Sequence, residues 1–323
     1  MTGRRSPAGW ALAAVIVMSC TTEGLAPSPA PTVTGVGWRT LPPLPTARAE
    51  VAGASDGSRI VVIGGFAGDG STVPTVEVFN PATATWTDGP DLPMAVNHPM
   101  AAGSGGTVYV FGGYAGPGLS APTDRVFALR EGRWQELAPM PEPRAAGGAA
   151  AVDGRVFIAG GVGASGLADD MFVFDLATGR WSTTEGPPTP REHLGVAGAS
   201  GHVYVVGGRT GGIGTNLASA ESFDAETGTW TELPRMPTAR GGIAAAATGR
   251  FVVATGGEAE VAFAEAEAYD LVDERWVTLP PMPTPRHGLG VVAIGETVYA
   301  MGGGPVPGLS VSNALEGIDL NSL

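Results

Sequence analysis

Between residues 36 and 323 the apolar residues fall in short runs broken by Gly, Pro, Asp and Thr, and no stretch holds the three-to-four spacing of an amphipathic helix. One unit is clearest from Arg240 to Pro283. Small residues from Gly242 to Ala247 form a first apolar run, Thr248-Gly249 turns the chain, and Phe251 to Thr255 form a second run that stops at Gly256-Gly257. After a loop, Ala266 to Asp270 alternate apolar and polar positions. A turn falls at Val272 to Arg275, and a last run starts at Trp276 and is halted by Pro280, Pro281 and Pro283. Runs this short, with period-two alternation, predict strands, so each unit is expected to be a four-stranded meander.

The unit recurs along the whole segment. Glycine pairs stand at Gly64-Gly65, Gly112-Gly113, Gly160-Gly161, Gly207-Gly208, Gly256-Gly257 and Gly302-Gly303, in steps of 48, 48, 47, 49 and 46 residues. Trp38, Trp86, Trp134, Trp181, Trp230 and Trp276 keep the same beat, and a period of this length marks a repeat architecture. Phe79, Phe127, Phe174, Phe223 and Tyr269 on the third run each precede a Trp by seven residues, while Ile318 holds that place in the last unit. Small side chains on the first run and aromatic ones on the third and fourth suit sheets set radially about an axis, crowded at the hub and diverging at the rim. The paired glycines permit close approach of neighbouring chains.

An apolar strand ending in Gly-Gly, then an aromatic, then Trp seven residues on, resembles the kelch repeat over essentially all of residues 36–323. That resemblance implies an all-β fold, a six-bladed kelch-type β-propeller. No Trp follows Gly303, and the place seven residues past Ile318 lies beyond the last residue. The N-terminal strand at 37–41, carrying Trp38, is therefore expected to complete the last blade.

The first twenty residues carry Arg4 and Arg5, an apolar run from Trp10 to Met18, and Cys20, the one cysteine in the chain. This layout reads as an export signal rather than a span, which needs about 20 apolar residues. Val17 to Cys20 resembles a bacterial lipobox, with Met18 where a small residue is usual. The expected organisation is a signal peptide at 1–19, a lipid-anchor cysteine and flexible tether at 20–35, and the propeller at 36–323. The expected location is the bacterial cell envelope, with membrane attachment through Cys20; secretion without an anchor is the alternative.

Charge and composition narrow the partners. The 31 acidic residues outnumber the 18 basic ones, giving a net charge of −13, which disfavours nucleic acid. Every basic residue is arginine, so lysine Schiff-base chemistry is excluded. The distance from each Trp to the next Gly-Gly is always 26 residues, whereas the distance from Gly-Gly to the third-strand position runs from 13 to 16. Only the second-to-third-strand loops vary. In a four-stranded meander these share one face with the crossings between blades, and that face is the expected binding face for a protein or glycan.

Arginine stands 16 residues before Gly-Gly at Arg48, Arg144, Arg191, Arg240 and Arg286, with Val96 the exception; this repetition argues for a structural tie to backbone carbonyls or to a neighbouring blade. Function should break the symmetry. The binding-face candidates are Glu50, Asn97, His98, Arg191, Glu192, His193, Arg240 and His287. His98 and His193 share a register that His287 misses by one residue, so on an extended strand His287 should point the other way, and with no local ligand motif no metal or cofactor is expected. Asp169-Asp170 reads as a solvated loop, and Arg209 to Gly214 as a loop with no helix to hold phosphate.

The resulting expectation is a noncatalytic binding or scaffold module outside the cytoplasm. The alternative is a carbohydrate-active enzyme, since propellers resembling kelch also include sugar oxidases and sialic-acid mutarotases. The oxidase version requires a cysteine cross-linked to tyrosine, and Cys20 lies in the signal region. A mutarotase would need an acid beside an arginine in a pocket, a place Glu192 could fill with Arg191 or Arg240.

Overall fold

Each predicted unit becomes a four-stranded antiparallel sheet in the computed structural model, which describes residues 1–3 and 30–323. In the first sheet Ala52–Ser55 pairs with Ile60–Ile63, which pairs with Val76–Asn80, which pairs with Thr85–Asp88. Five such meanders follow one another, and the sixth takes its outer strand from the other end of the chain. Trp38–Leu41 pairs antiparallel with Leu315–Asp319, setting Trp38 opposite Ile318, outside Thr297–Met301 and Gly290–Ile294. The innermost strands touch one another all the way round, so the sheets close into a six-bladed β-propeller about a central pore.

Closure is carried by three circular sets of hydrogen bonds. At the rim each indole Nε1 donates to a carbonyl of the preceding blade: Trp86 to Pro42, Trp134 to Pro90, Trp181 to Ala138, Trp230 to Glu185, Trp276 to Pro234, and Trp38 to Pro280, at 2.7–3.1 Å. Most of these tryptophans are only half-buried, so they serve as edge clamps as well as apolar filler. Further in, the second glycine of each pair donates to the crossing of the next blade, as Gly65 N–H does to the Val96 carbonyl at 2.8 Å. Gly64 and Gly65 both have positive φ, 62° and 101°, and a Cβ on either would collide with a carbonyl, Val96's or Ala49's. The third set surrounds the pore mouth and is described below.

The arginine series is fully buried. Each guanidinium grips its own blade: Arg240 Nη1 donates to the carbonyls of Gly256 and Glu265 at 2.7 and 2.9 Å, and Nη2 to Glu267 at 2.7 Å. Arg48 with Glu77, Arg191 with Glu221, and Arg286 with Glu316 repeat this clamp. In the third blade Phe172 stands where the glutamate should be; Arg144 lies over its ring at 4.1 Å and turns to Asp170 at 2.7 Å. Asp170 is thereby part of a clamp rather than of a solvated loop. The second blade changes both places together, with Val96 for the arginine and Arg125 two residues before Phe127.

The expected export signal beyond residue 3, the expected anchor Cys20 and the expected tether as far as residue 29 lie outside the described residues. The expected tether ends earlier than residue 35, because Thr32 forms a parallel bridge to Thr278 and Val33 N–H donates to the Thr278 carbonyl at 2.9 Å. Val33 and Val36 also pack on the core beneath the outer strands.

Replacing Arg240 by Val should destabilise the chain by about 3–5 kcal/mol, because Glu267 is left as a buried, unpaired charge. Adding Glu267→Ala should recover most of that loss, as the second blade does without the pair. Urea denaturation midpoints of the single and double variants check this.

Candidate functional site

The crossing into each blade runs from the outer strand of one sheet to the inner strand of the next. Two residues past the arginine position it takes a left-handed turn, at Glu50, His98, Ala146, His193, Gly242 and Gly288, with φ of 53, 51, 55, 52, 72 and 55°. This turn aims each N–H at the neighbouring blade. Glu50 donates to Gly288, Gly288 to Gly242, Gly242 to His193, His193 to Ala146, Ala146 to His98, and His98 back to Glu50, at 2.7–3.1 Å. The six side-chain positions of this circle surround one mouth of the pore, whose cavity of about 290 Å³ is walled by the small residues of the inner strands.

One residue earlier, the crossing pairs with the residue that follows Gly-Gly: Ala49 with Phe66, Asn97 with Tyr114, Ala145 with Val162, Glu192 with Arg209, Gly241 with Glu258, and His287 with Gly304. The crossings and the variable loops therefore share one face. Around the mouth this places three layers of variable side chains on an invariant backbone.

The polar members of these layers gather on one network. Glu50 Oε2 lies 3.0 Å from His98 Nε2, and Glu50 Oε1 lies 3.7 Å from His287 Nε2. His287 Nε2 is also 3.6 Å from Glu258 Oε2, whose other oxygen accepts from Arg209 Nη1 at 2.9 Å. Arg209 Nε donates to Glu192 Oε1 at 3.0 Å, and Glu192 Oε2 stands 3.3 Å from His193 Nδ1 without the alignment of a hydrogen bond. The His193 ring meets the His98 ring edge-on at 4.9 Å, and Phe66 and Tyr114 box His98 from two other sides. Bare backbone leaves room for these groups: a Cβ on Gly288 would collide with the Glu50 carboxylate, and one on Gly304 with the His287 ring.

Burial and charge compete at these groups. Burial pushes the Glu50 carboxyl up, but the imidazoles of His98, His193 and His287 outweigh it and hold the group below the usual carboxylate range. Glu192 is likewise opposed by burial and held down by His193 and Arg209. Burial drives the His193 imidazole below its ordinary value, more strongly than Glu192 raises it. Tyr114 is pushed up by burial and by the charge of Glu192.

Of the residues expected on the binding face, Glu50, Asn97, His98, Glu192, His193 and His287 come together at the mouth. Arg191 and Arg240 do not: both are fully buried in blade clamps and present no donor to a ligand. His287 joins the cluster despite its one-residue offset, because alternation of side chains holds only on extended backbone and the next residue, Gly288, is left-handed. The same turn at His193 lets neighbouring Glu192 and His193 converge where strand neighbours would diverge. Arg209 and Glu258, which connect the network, were legible as the two charged residues among the six that follow Gly-Gly. The outer loops add Leu119, Ile213, Val261, Val306 and Leu309, all strongly exposed apolar side chains on second-to-third-strand loops.

Gly288→Ala should destabilise the chain by roughly 1–2 kcal/mol for the left-handed backbone and a further 1–3 kcal/mol for the collision with Glu50. Gly295→Ala, at a similar φ of 57° but with open space beyond, should show only the first loss. Thermal unfolding of the two variants separates the terms.

Two overlapping stretches of the chain, residues 50–234 and 181–303, match the family model of the KLHDC2/KLHL20/DRC7 Kelch-repeats domain. Together they cover most of the propeller, and the chain belongs to the kelch-repeat family. No curated protein matches the sequence.

Proposed function

We propose that this kelch propeller is a noncatalytic binding or scaffold module of the cell envelope, which holds a protein partner on the face that carries the pore mouth. The observation that carries this reading is the placement of exposed apolar residues. Leu119, Ile213, Val261, Val306 and Leu309 are 43–64% exposed, and every one is on a second-to-third-strand loop of the mouth face. Large apolar groups left in water on four different blades of one face are a mark of interaction surface, and their spread round a polar centre suits a folded or extended polypeptide better than a small ligand. The net charge of −13 favours a partner with basic groups flanking its apolar contacts. A glycan partner would use the polar centre and leave the apolar tips idle.

Export and lipid attachment at Cys20 complete the proposal. With the chain pinned at Thr32 to the fifth blade, the residues between Cys20 and Thr32 would set the reach of the domain from the membrane. Cys20→Ser should move the protein from the membrane fraction to the soluble envelope fraction, and metabolic labelling with a fatty acid should lose its signal.

One observation favours a carbohydrate-active enzyme as the second reading: Glu192 stands within 3.3 Å of both His193 and an arginine, Arg209. Such a group could move protons at a sugar. Against it, Arg209 is held between Glu192 and Glu258, which already engage its Nε and Nη1.

Pull-down from envelope extract tests the binding reading. Leu119→Asp, Val261→Asp and Leu309→Asp should each lower recovery of the partner about tenfold or more while leaving the melting temperature nearly unchanged. Val272→Asp, an exposed apolar site on the third-to-fourth-strand turn of the opposite face, should recover it in full. Undiminished recovery by all three loop variants would remove this face from consideration.

A further inference from the structure

We propose that Glu50, His98 and His193 form a binding site for one divalent transition-metal ion of the zinc class at the mouth of the pore. The three residues come from the crossings into the first, second and fourth blades, and one ligand atom from each lies within 4.8 Å of the others. Two imidazoles and one carboxylate are a ligand set such ions use, with at least one position left open. Donors sharing a tetrahedral ion at bond lengths of about 2.0–2.2 Å stand roughly 3.3 Å apart; His98 Nε2 and Glu50 Oε2 are 3.0 Å apart.

The tautomer of His98 supplies an independent argument. Asn97 Nδ2 faces the Thr72 hydroxyl and the carbonyls of Gly118 and Tyr114, so the amide is oriented with Oδ1 toward the ring, 2.7 Å from His98 Nδ1. Nδ1 must then carry the hydrogen and donate it to Asn97. The lone pair of Nε2 in the neutral ring is then aimed at a Glu50 carboxylate oxygen, a contact that a proton or a metal cation between the two would relieve. An amide oxygen on Nδ1 is also the support that fixes a metal-ligating imidazole.

Charge balance points the same way. The network holds three carboxylates, Glu50, Glu192 and Glu258, and one guanidinium, Arg209, which leaves two negative charges when the imidazoles are neutral. The other buried arginines are matched with acids of their own or, at Arg144, with Asp170 and Glu142. One dication at the mouth would neutralise this surplus. Space for the ion comes from the circle itself, since Ala146, Gly242 and Gly288 bring no long side chain to it. The ligands lie tens of residues apart and on three blades, so no local spacing announces them.

The test uses the purified full-length chain after dialysis against a chelator. Titration with Zn²⁺ should show one equivalent bound by calorimetry, a melting temperature that rises with zinc concentration, and visible d–d absorption when Co²⁺ replaces zinc. Excess Mg²⁺, which prefers oxygen ligands, should not displace it. Glu50→Gln, His98→Gln and His193→Gln should each weaken binding at least about 100-fold, and Asn97→Ala about 10–100-fold. His202→Gln, a half-exposed histidine away from the mouth, should bind as the parent does. Circular dichroism of each variant without metal separates lost binding from lost folding. Absence of saturable binding to the parent chain, or binding that survives all three ligand substitutions, overturns the proposal. Neither result bears on partner capture by the loops, so the two readings fail separately.

Discussion

Closure of the circle is the constraint on which the rest of this structure depends. Six separate meander sheets set about an axis share no strand pairing with one another, so each blade must be fixed to its neighbours by other means. The chain meets this with hydrogen bonds that run from blade to blade at three radii: backbone to backbone at the pore mouth, glycine N–H to crossing carbonyl further out, and indole to carbonyl at the rim. Each bond contributes only about 0.5–1.5 kcal/mol net, but every set is circular, so no blade can shift without breaking bonds on both sides. The contribution of Trp38 is needed for the same reason, since without it both the sixth sheet and the rim circle stay open.

The buried arginines serve closure from within each blade. A guanidinium can bind two carbonyls and a carboxylate in one plane, and here it joins the crossing to the ends of the second and third strands. This holds the crossing in the position from which its next residues make the mouth circle. The paired change at Val96 and Arg125 shows that the unit is the pair and not the arginine alone.

The mouth is where this rigidity becomes useful. Left-handed turns at four residues with a Cβ are strained, and the circle of hydrogen bonds holds them there. Because the backbone positions are the same in all six blades, side chains can differ freely, and the chain has placed its symmetry-breaking polar groups on one network and its exposed apolar groups on the loops outside it. A rigid polar centre within a mobile-length, apolar rim gives one face two different recognition chemistries.

Much of the fold was written in local patterns: period-two strands, glycine pairs and tryptophans at constant spacing, and an unmatched Trp at the start that corresponds to an unmatched strand at the end. Such features are readable because each depends on neighbours along the chain, and because six copies repeat the message. The candidate face was legible too, from where length variation is tolerated. The repetition of the arginine pointed to a structural tie, but only the tertiary structure shows Arg191 and Arg240 fully buried in those ties and so withdrawn from the binding face. The sequence could not show that His287 and Glu192 join the cluster, since their direction is set by a left-handed turn that only the blade-to-blade hydrogen bonds enforce. Local periodicity determined the blades and their number; the meeting of Glu50, His98, His193, Arg209 and Glu258 was decided by ring closure, which brings residues up to about 210 positions apart to one point that no short window of sequence contains.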